Sequence, residues 1–236
     1  MKPRLPFQGI RVAAVDPGTK NLSFACIDYF GEILSSDGTT KVADFDIVDW
    51  QHVDLKTGTF MSFARDCGLE RRRTTMEDRS RGSFQDWRNN LSEHMATEWS
   101  CLFELDRFGE LPVFVVENQM DQAVRTTAGR GQHDMYTLAN CMMSAVRVAD
   151  VSVRGASHRK RASLLKASKY NVSKRKGSDR NHRKNASVVA ISKLLRERKL
   201  KQASKFLDRV FDDVGHVHDM SDSMGMCLHE AKNRCL

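Results

Sequence analysis

One short run constrains the fold of this chain more than any other feature. Residues Val113 to Glu117 read VFVVE, four apolar residues followed by an acid. A strand that is apolar on both faces belongs inside a sheet that is covered on both sides. Apolar residues recur with helical spacing before this run, over Phe84 to Arg107, and after it, over Met135 to Ala149. The chain is therefore predicted to fold as an α/β domain around a buried strand.

Further strands are predicted on either side of this central one. Ile10 to Asp16 and Leu22 to Asp28 flank a Pro-Gly turn, which predicts an antiparallel hairpin whose second strand ends at a turn over 29–31. Phe45 to Val53 and Val151 to Val153 are predicted to be strands as well. Two more helices are predicted, over Asn185 to Val210 and Asp219 to Lys232. The order matches a β-β-β-α-β-α-β-α plan, so the predicted fold is α/β and RNase H-like, with a mixed five-stranded sheet and helices on both faces.

Length and composition favour one globular domain over residues 1–236, because 40% of the residues are hydrophobic. Residues 54–83 are polar and are predicted to be an insertion or a mobile loop. No apolar run reaches 18 residues, so no membrane span is predicted, and the N-terminus lacks a signal-peptide core. An intracellular protein follows as the expectation. For its six cysteines, buried free thiols at Cys26 and Cys141 are favoured over disulfides or a zinc site.

The positive charge is concentrated in one segment, residues 154–184. This segment holds twelve Lys or Arg side chains and one acid, on a chain whose net charge is +8. A basic segment on a nearly neutral body indicates an element that binds a polyanion. A solvated loop without a partner is the alternative.

Four acidic residues stand at the ends of predicted elements: Asp16 and Glu117 end strands, and Asp219 and Asp222 begin the last helix. Each has an ordinary interpretation, namely a turn start for Asp16, a core salt bridge for Glu117, and helix capping or dipole effects for the pair. Together, converging carboxylates would repel one another unless cations lay between them. Oxygen ligands favour Mg²⁺ or Mn²⁺, and two such ions can support phosphodiester hydrolysis.

The motifs that contain these acids resemble those of one nuclease family. VDPGTKNLSFACID, VFVVENQ and HDMSDSMGMCLHEA resemble, in order, the three motifs of RuvC-like Holliday junction resolvases, and the basic stretch leading into RKNASVVAISKLL resembles the segment before the penultimate helix of that family. The long first gap and the extended basic stretch resemble the poxvirus and large-DNA-virus branch, or the mitochondrial one. Viral replication site, nucleus and mitochondrion stay open as compartments.

The resemblance implies a Mg²⁺-dependent or Mn²⁺-dependent endonuclease with two ions per site and no small-molecule cofactor. It implies that a homodimer cuts branched DNA, and that Asp16, Glu117, Asp219 and Asp222 are the catalytic metal ligands. It also implies a basic residue at the scissile phosphate, for which the candidates are His216, His218 and Lys184.

Contacts with DNA phosphates are expected from basic residues near these motifs. The candidates are Arg125, Arg130, Arg159, Lys160, Arg161, Lys174, Arg175, Lys176 and Lys184, with Arg196, Arg198, Lys199 and Lys201 as a second source. Two other functions remain open at this point. One is a nuclease of the same fold that acts on RNA, an RNA–DNA hybrid or flap DNA, and the other is a nucleic-acid-binding module whose acids serve only structure.

Overall fold

In the computed structural model of this chain, the described residues are 9–17, 21–35, 38–54, 60–68, 108, 112–117, 139–140, 142, 144, 152–156, 179–214 and 217–234. Only the backbone is described at 65, 152–156, 179–184 and 214. The helix predicted over Phe84 to Arg107 lies outside these ranges. So do residues 121–132, which are rich in Gly, Thr and Arg and are therefore predicted to form a loop. Ala139 and Met142 are helical and buried, within the helix predicted over Met135 to Ala149.

The described strands form a six-stranded mixed sheet in the order β4-β3-β2-β1-β5-β6. They are β1 (Ile10–Asp16), β2 (Asn21–Leu34), β3 (Lys41–Asp54), β4 (Phe60–Ser62), β5 (Val113–Glu117) and β6 (Ser152–Ala156). Strands β1 to β4 each pair antiparallel with the next strand along the chain, and β5 lies parallel to both β1 and β6. The fold is thus the predicted α/β, RNase H-like arrangement. The three-residue β4, in the stretch that was predicted to be an insertion or loop, adds a sixth strand at one edge.

The two central strands are buried along their whole length, as continuous apolar runs require. The prediction that β2 ends at a turn over 29–31 is wrong, because the strand continues to Leu34. Its pairing with β3 shifts between Tyr29 and Gly31, and Gly31 has a φ of 120°. Glycine tolerates this backbone conformation, so the strand passes through a bulge where a turn was predicted.

Besides the helical residues at 139, 140, 142 and 144, the described part of the chain contains helices α1 (Phe63–Asp66), α2 (Asp179–Glu197), α3 (Lys201–Val214) and α4 (His218–Arg234). The predicted final helix is confirmed. The prediction of one continuous helix from Asn185 to Val210 is wrong, because residues 198–200 separate α2 from α3. Lys199 has a positive φ of 56° at this break.

The core on one face of the sheet is built around α4. Met220, Met224 and Cys227 of this helix are fully buried in the same cluster as Ala25 and Trp50 of the sheet. Helix α3 adds residues at helical spacing, which are Ala203, Phe206, Leu207 and Val210. Burial of each large apolar side chain contributes about 1.5–3 kcal/mol. The helix that carries two of the candidate acids is therefore fixed on the sheet by its apolar residues.

The cysteines and the helices bear on two further predictions. The thiols of Cys26 and Cys227 are free and buried, which confirms the prediction for Cys26, whereas Cys141 lies outside the described residues. Burial raises the pKa of both thiols, so they stay protonated near neutral pH. Within the described residues, no helix combines the length and apolar character needed to cross a membrane.

Candidate active site

Asp16 and Glu117 end neighbouring parallel strands at the same edge of the sheet. Val15 pairs with Val116, so the next residue on each strand is one of the two acids. Their exposed fractions are 8% and 5%. Carboxyl ends of strands are where open α/β sheets place their sites, and these two carboxylates begin such a site.

Both acids lie on the face of the sheet that carries α4. Ser23 is directly opposite Asp16 in the β1–β2 pair, so the two side chains share a face. The Ser23 hydroxyl contacts Met220 and Ser223 of α4. On β5, Val115 belongs to the core cluster that contains α4, and Glu117 follows it by two residues and points the same way.

The first two turns of α4 bring the other two acids to this edge. The Ser221 amide donates to the Val217 carbonyl at 3.0 Å, so Val217 is the N-cap and Asp219 the second residue of the helix. The interpretation of Asp219 as an N-cap is therefore wrong. Asp222 follows nearly one turn later and is only 2% exposed. Both acids fall on the same side of the row of α4 residues that contacts the sheet.

Of the three candidates for a basic residue at the scissile phosphate, His218 is the one whose side chain the structure describes. Its Nε2 lies 3.1 Å from Asp219 Oδ1, and both side chains are 22% exposed. When protonated, this imidazole forms an ion pair with the carboxylate. Lys184 lies on α2 with only its backbone described, and His216 lies outside the described residues.

Four residues for which the sequence predicted no role at the site link the sheet to the beginning of α4. Ser23, Trp50, Met220 and Ser223 form a buried hydrogen-bonded cluster, called here the hydroxyl clamp. Fully buried His52 lies opposite Ser23 on β3, in the same row as Asp16. These residues could be predicted only from the cross-strand register, which is known once the strands are paired.

Among the described side chains, no three His, Cys, Asp or Glu residues already stand close enough to enclose an ion. The strand ends and the helix start that carry the candidate acids therefore lie near one another, but the acid side chains do not form a ready-made metal cluster.

The structure describes few of the expected DNA contacts. Arg198 forms an ion pair with Asp44, whose β2 partner is Gly31. At roughly 3.3 Å per residue, Gly31 is about 25 Å from Ser23, at the other end of the sheet. Arg198 therefore does not line the candidate site. The other predicted contacts with no described position are Arg125, Arg130, Arg159, Lys160, Arg161, Lys174, Arg175 and Lys176.

No family model and no curated protein matches the sequence significantly. A solved structure of T. thermophilus RuvC in complex with a Holliday junction substrate is similar over 96% of both chains, with 10% identity and a TM-score of 0.48.

Two Aquifex aeolicus structures from the Ppx/GppA family are similar over a smaller part of the fold, each with a TM-score of 0.32. One covers 67% of this chain and 39% of its own at 14% identity, and the other covers 66% and 40% at 13% identity. The strand order and pairing by themselves define the fold of this chain. The resemblance to the poxvirus branch stays a prediction.

Proposed function

We propose that this chain is a divalent-metal-dependent nuclease with its active centre at Asp16, Glu117, Asp219 and Asp222. Two observations support the proposal: Asp16 and Glu117 end neighbouring strands at one edge of the sheet, and the start of α4, which carries Asp219 and Asp222, packs against β2 beside that edge. Carboxylates that meet at this edge would lose hydration and repel one another. A bound cation would offset both costs.

The chemistry of the donors fits a hard cation. All four side chains offer carboxylate oxygens, the ligand type that Mg²⁺ and Mn²⁺ prefer over softer metals. When bound, a pair of such ions activates water and stabilises the leaving oxygen in phosphodiester hydrolysis. We propose two ions per site.

The side chains would divide the work of holding these ions and the substrate. Asp16 and Glu117 are fixed by the paired strands, and Asp222 is enclosed in the core. Asp219 is more exposed, at 22%, and so faces the side from which a phosphodiester could approach. His218 orients Asp219 through their contact and is our candidate for the basic residue at the scissile phosphate.

Branched DNA is the proposed substrate, and a homodimer the proposed assembly. Two features support DNA binding at this edge. Ala156, the last residue of β6, pairs with Glu117, and most of the basic segment follows Ala156 in the sequence. The stretch with Arg125 and Arg130, which the sequence predicts to be a loop, comes shortly after Glu117 in the sequence. The order of the three sequence motifs supports a four-way junction, whose approximate two-fold symmetry matches a dimer with two sites.

The test is incubation of the purified chain with labelled four-way junction, linear duplex, flap and RNA–DNA hybrid, in Mg²⁺ and in EDTA. We expect paired nicks in the junction with Mg²⁺ and none with EDTA, by a particle of about twice 26.8 kDa in ultracentrifugation. Equal cutting of every substrate would contradict junction selectivity. Binding without cutting under Mg²⁺ would replace the nuclease with a nucleic-acid-binding module.

A further inference from the structure

The hydroxyl clamp joins α4 to β2 and β3 through hydrogen bonds in the protein interior. Ser23 Oγ lies 2.8 Å from Ser223 Oγ, and 3.2 Å from both the Gln51 carbonyl and the Met220 sulfur. The Trp50 indole nitrogen donates to the Met220 carbonyl at 3.0 Å. Ser23, Trp50, Met220 and Ser223 are all 0% exposed.

Both hydroxyls of the clamp also reach backbone carbonyls, which can only accept. Ser223 Oγ lies 2.9 Å from the Met220 carbonyl and can donate there, and Ser23 Oγ can donate to the Gln51 carbonyl. Either hydroxyl can be the donor in the 2.8 Å contact between them. Each hydroxyl thus depends on the other, and deleting either one leaves a buried polar atom with a lost partner, which is costly.

The clamp stands next to each of the proposed metal ligands on its helix. Met220 follows Asp219 directly, and Ser223 follows Asp222 directly. On the sheet side, Ser23 is the cross-strand neighbour of Asp16. Every clamp contact to α4 is therefore made one residue away from an acid of the candidate site.

From this placement we infer that the hydroxyl clamp positions the proposed metal centre. By fixing the first turns of α4 against β2, it sets the height and rotation at which Asp219 and Asp222 face Asp16 and Glu117. Metal sites need ligands held within about 0.5 Å of the productive geometry, and neighbouring hydrogen bonds supply that precision. The inference rests on the proposed function, and its residues are positioning residues.

Ser221 offers a matched control on the same helix. It is also 0% exposed and lies between Asp219 and Asp222, but its hydroxyl donates to the Val217 carbonyl of its own helix at 3.1 Å. Replacing it with alanine removes a buried hydroxyl next to a proposed ligand without touching the contact between helix and sheet.

The experiment measures Mn²⁺ binding by calorimetry without DNA, together with the thermal midpoint, for Ser23→Ala, Ser223→Ala and Ser221→Ala. We expect the two clamp variants to need about three- to tenfold more Mn²⁺ for half-saturation, as the loss of one buried hydrogen bond implies. Ser221→Ala should bind Mn²⁺ like the wild type, even if its midpoint falls as much. The double clamp variant should be no weaker than either single one, because the two hydroxyls act as a pair.

Ser23→Thr keeps the hydroxyl and should restore Mn²⁺ affinity, which also provides a folded variant if the alanine form is unstable. The clamp is ruled out if its variants differ from wild type in Mn²⁺ affinity no more than Ser221→Ala does. Asp219→Asn distinguishes a failure of the clamp from a failure of the proposed metal site. If it loses Mn²⁺ binding while the clamp variants do not, only the clamp fails. If the wild type binds no Mn²⁺, or Asp219→Asn binds it equally well, the proposed metal site fails too.

Discussion

At the scale of single residues, Arg11 and Asp28 form a buried ion pair within the sheet. They face each other across β1 and β2, on the face opposite α4, with nitrogen–oxygen distances of 2.7 and 2.9 Å. Burial alone would lower the pKa of Arg11, but the hydrogen bonds that its guanidinium donates to Asp28 help to raise the pKa overall. The pair is a structural one, because each charge is offset by the other.

Removing one partner of this pair should destabilise the protein strongly. Asp28→Asn removes the negative charge that faces the buried guanidinium, and we expect a loss of about 3–5 kcal/mol in unfolding free energy. Glu32→Gln is the control on the same strand, since its partner Lys232 is 54% exposed and such pairs contribute about 0–1 kcal/mol. Urea unfolding measures both variants. Equal losses of unfolding free energy would show that burial does not make the Arg11–Asp28 pair more important for stability than the Lys232–Glu32 pair.

At the scale of elements, the break between α2 and α3 is a helix end formed without glycine. The Leu200 amide donates to the Leu195 carbonyl at 2.8 Å, and the Lys199 amide donates to the Arg196 carbonyl at 2.9 Å. These two bonds form a Schellman motif, in which the residue at the position of Lys199 takes a left-handed conformation. A lysine in that conformation is strained, and the strain marks the end of α2.

A glycine at this position should stabilise the protein. Lys199→Gly relieves the left-handed strain and loses some chain entropy, so we expect a net gain of up to about 1 kcal/mol. Lys205→Gly, on an exposed face of α3, should instead cost about 1 kcal/mol. Chemical unfolding would show opposite signs for the two variants. The same sign for both would contradict the assignment of the helix end.

The same elements show what the sequence could and could not predict. The apolar runs of β1 and β5 identify central strands and place Asp16 and Glu117 at their ends, because burial on both faces leaves a clear local pattern. The helix break at Lys199 carries no glycine or proline, so periodicity continues through it. Ser23 and Ser223 are two hundred residues apart and meet only through tertiary packing.

At the scale of the whole molecule, the candidate acids and the described ion pairs Arg198–Asp44 and Lys232–Glu32 belong to opposite ends of the sheet. Asp16 and Glu117 end β1 and β5 at one edge, and most of the basic segment follows the end of β6 in the sequence. At the other end, Arg198 is engaged with Asp44. We therefore expect DNA to approach from the carboxyl edge, where phosphate-binding residues and the proposed metal centre would meet the same strand.

Cleavage of a labelled four-way junction by Asp219→Asn in Mg²⁺, with junction binding measured in parallel, tests the central claim most directly. Mutation of residues that only hydrogen-bond to metal ligands typically costs about 10–100-fold in metal affinity or activity. We therefore expect loss of a ligand itself to reduce cleavage by about 100-fold or more. Binding should persist, since it depends on basic residues. Asp208→Asn, an exposed acid on α3, should cleave like the wild type. Wild-type cleavage by Asp219→Asn would contradict the account.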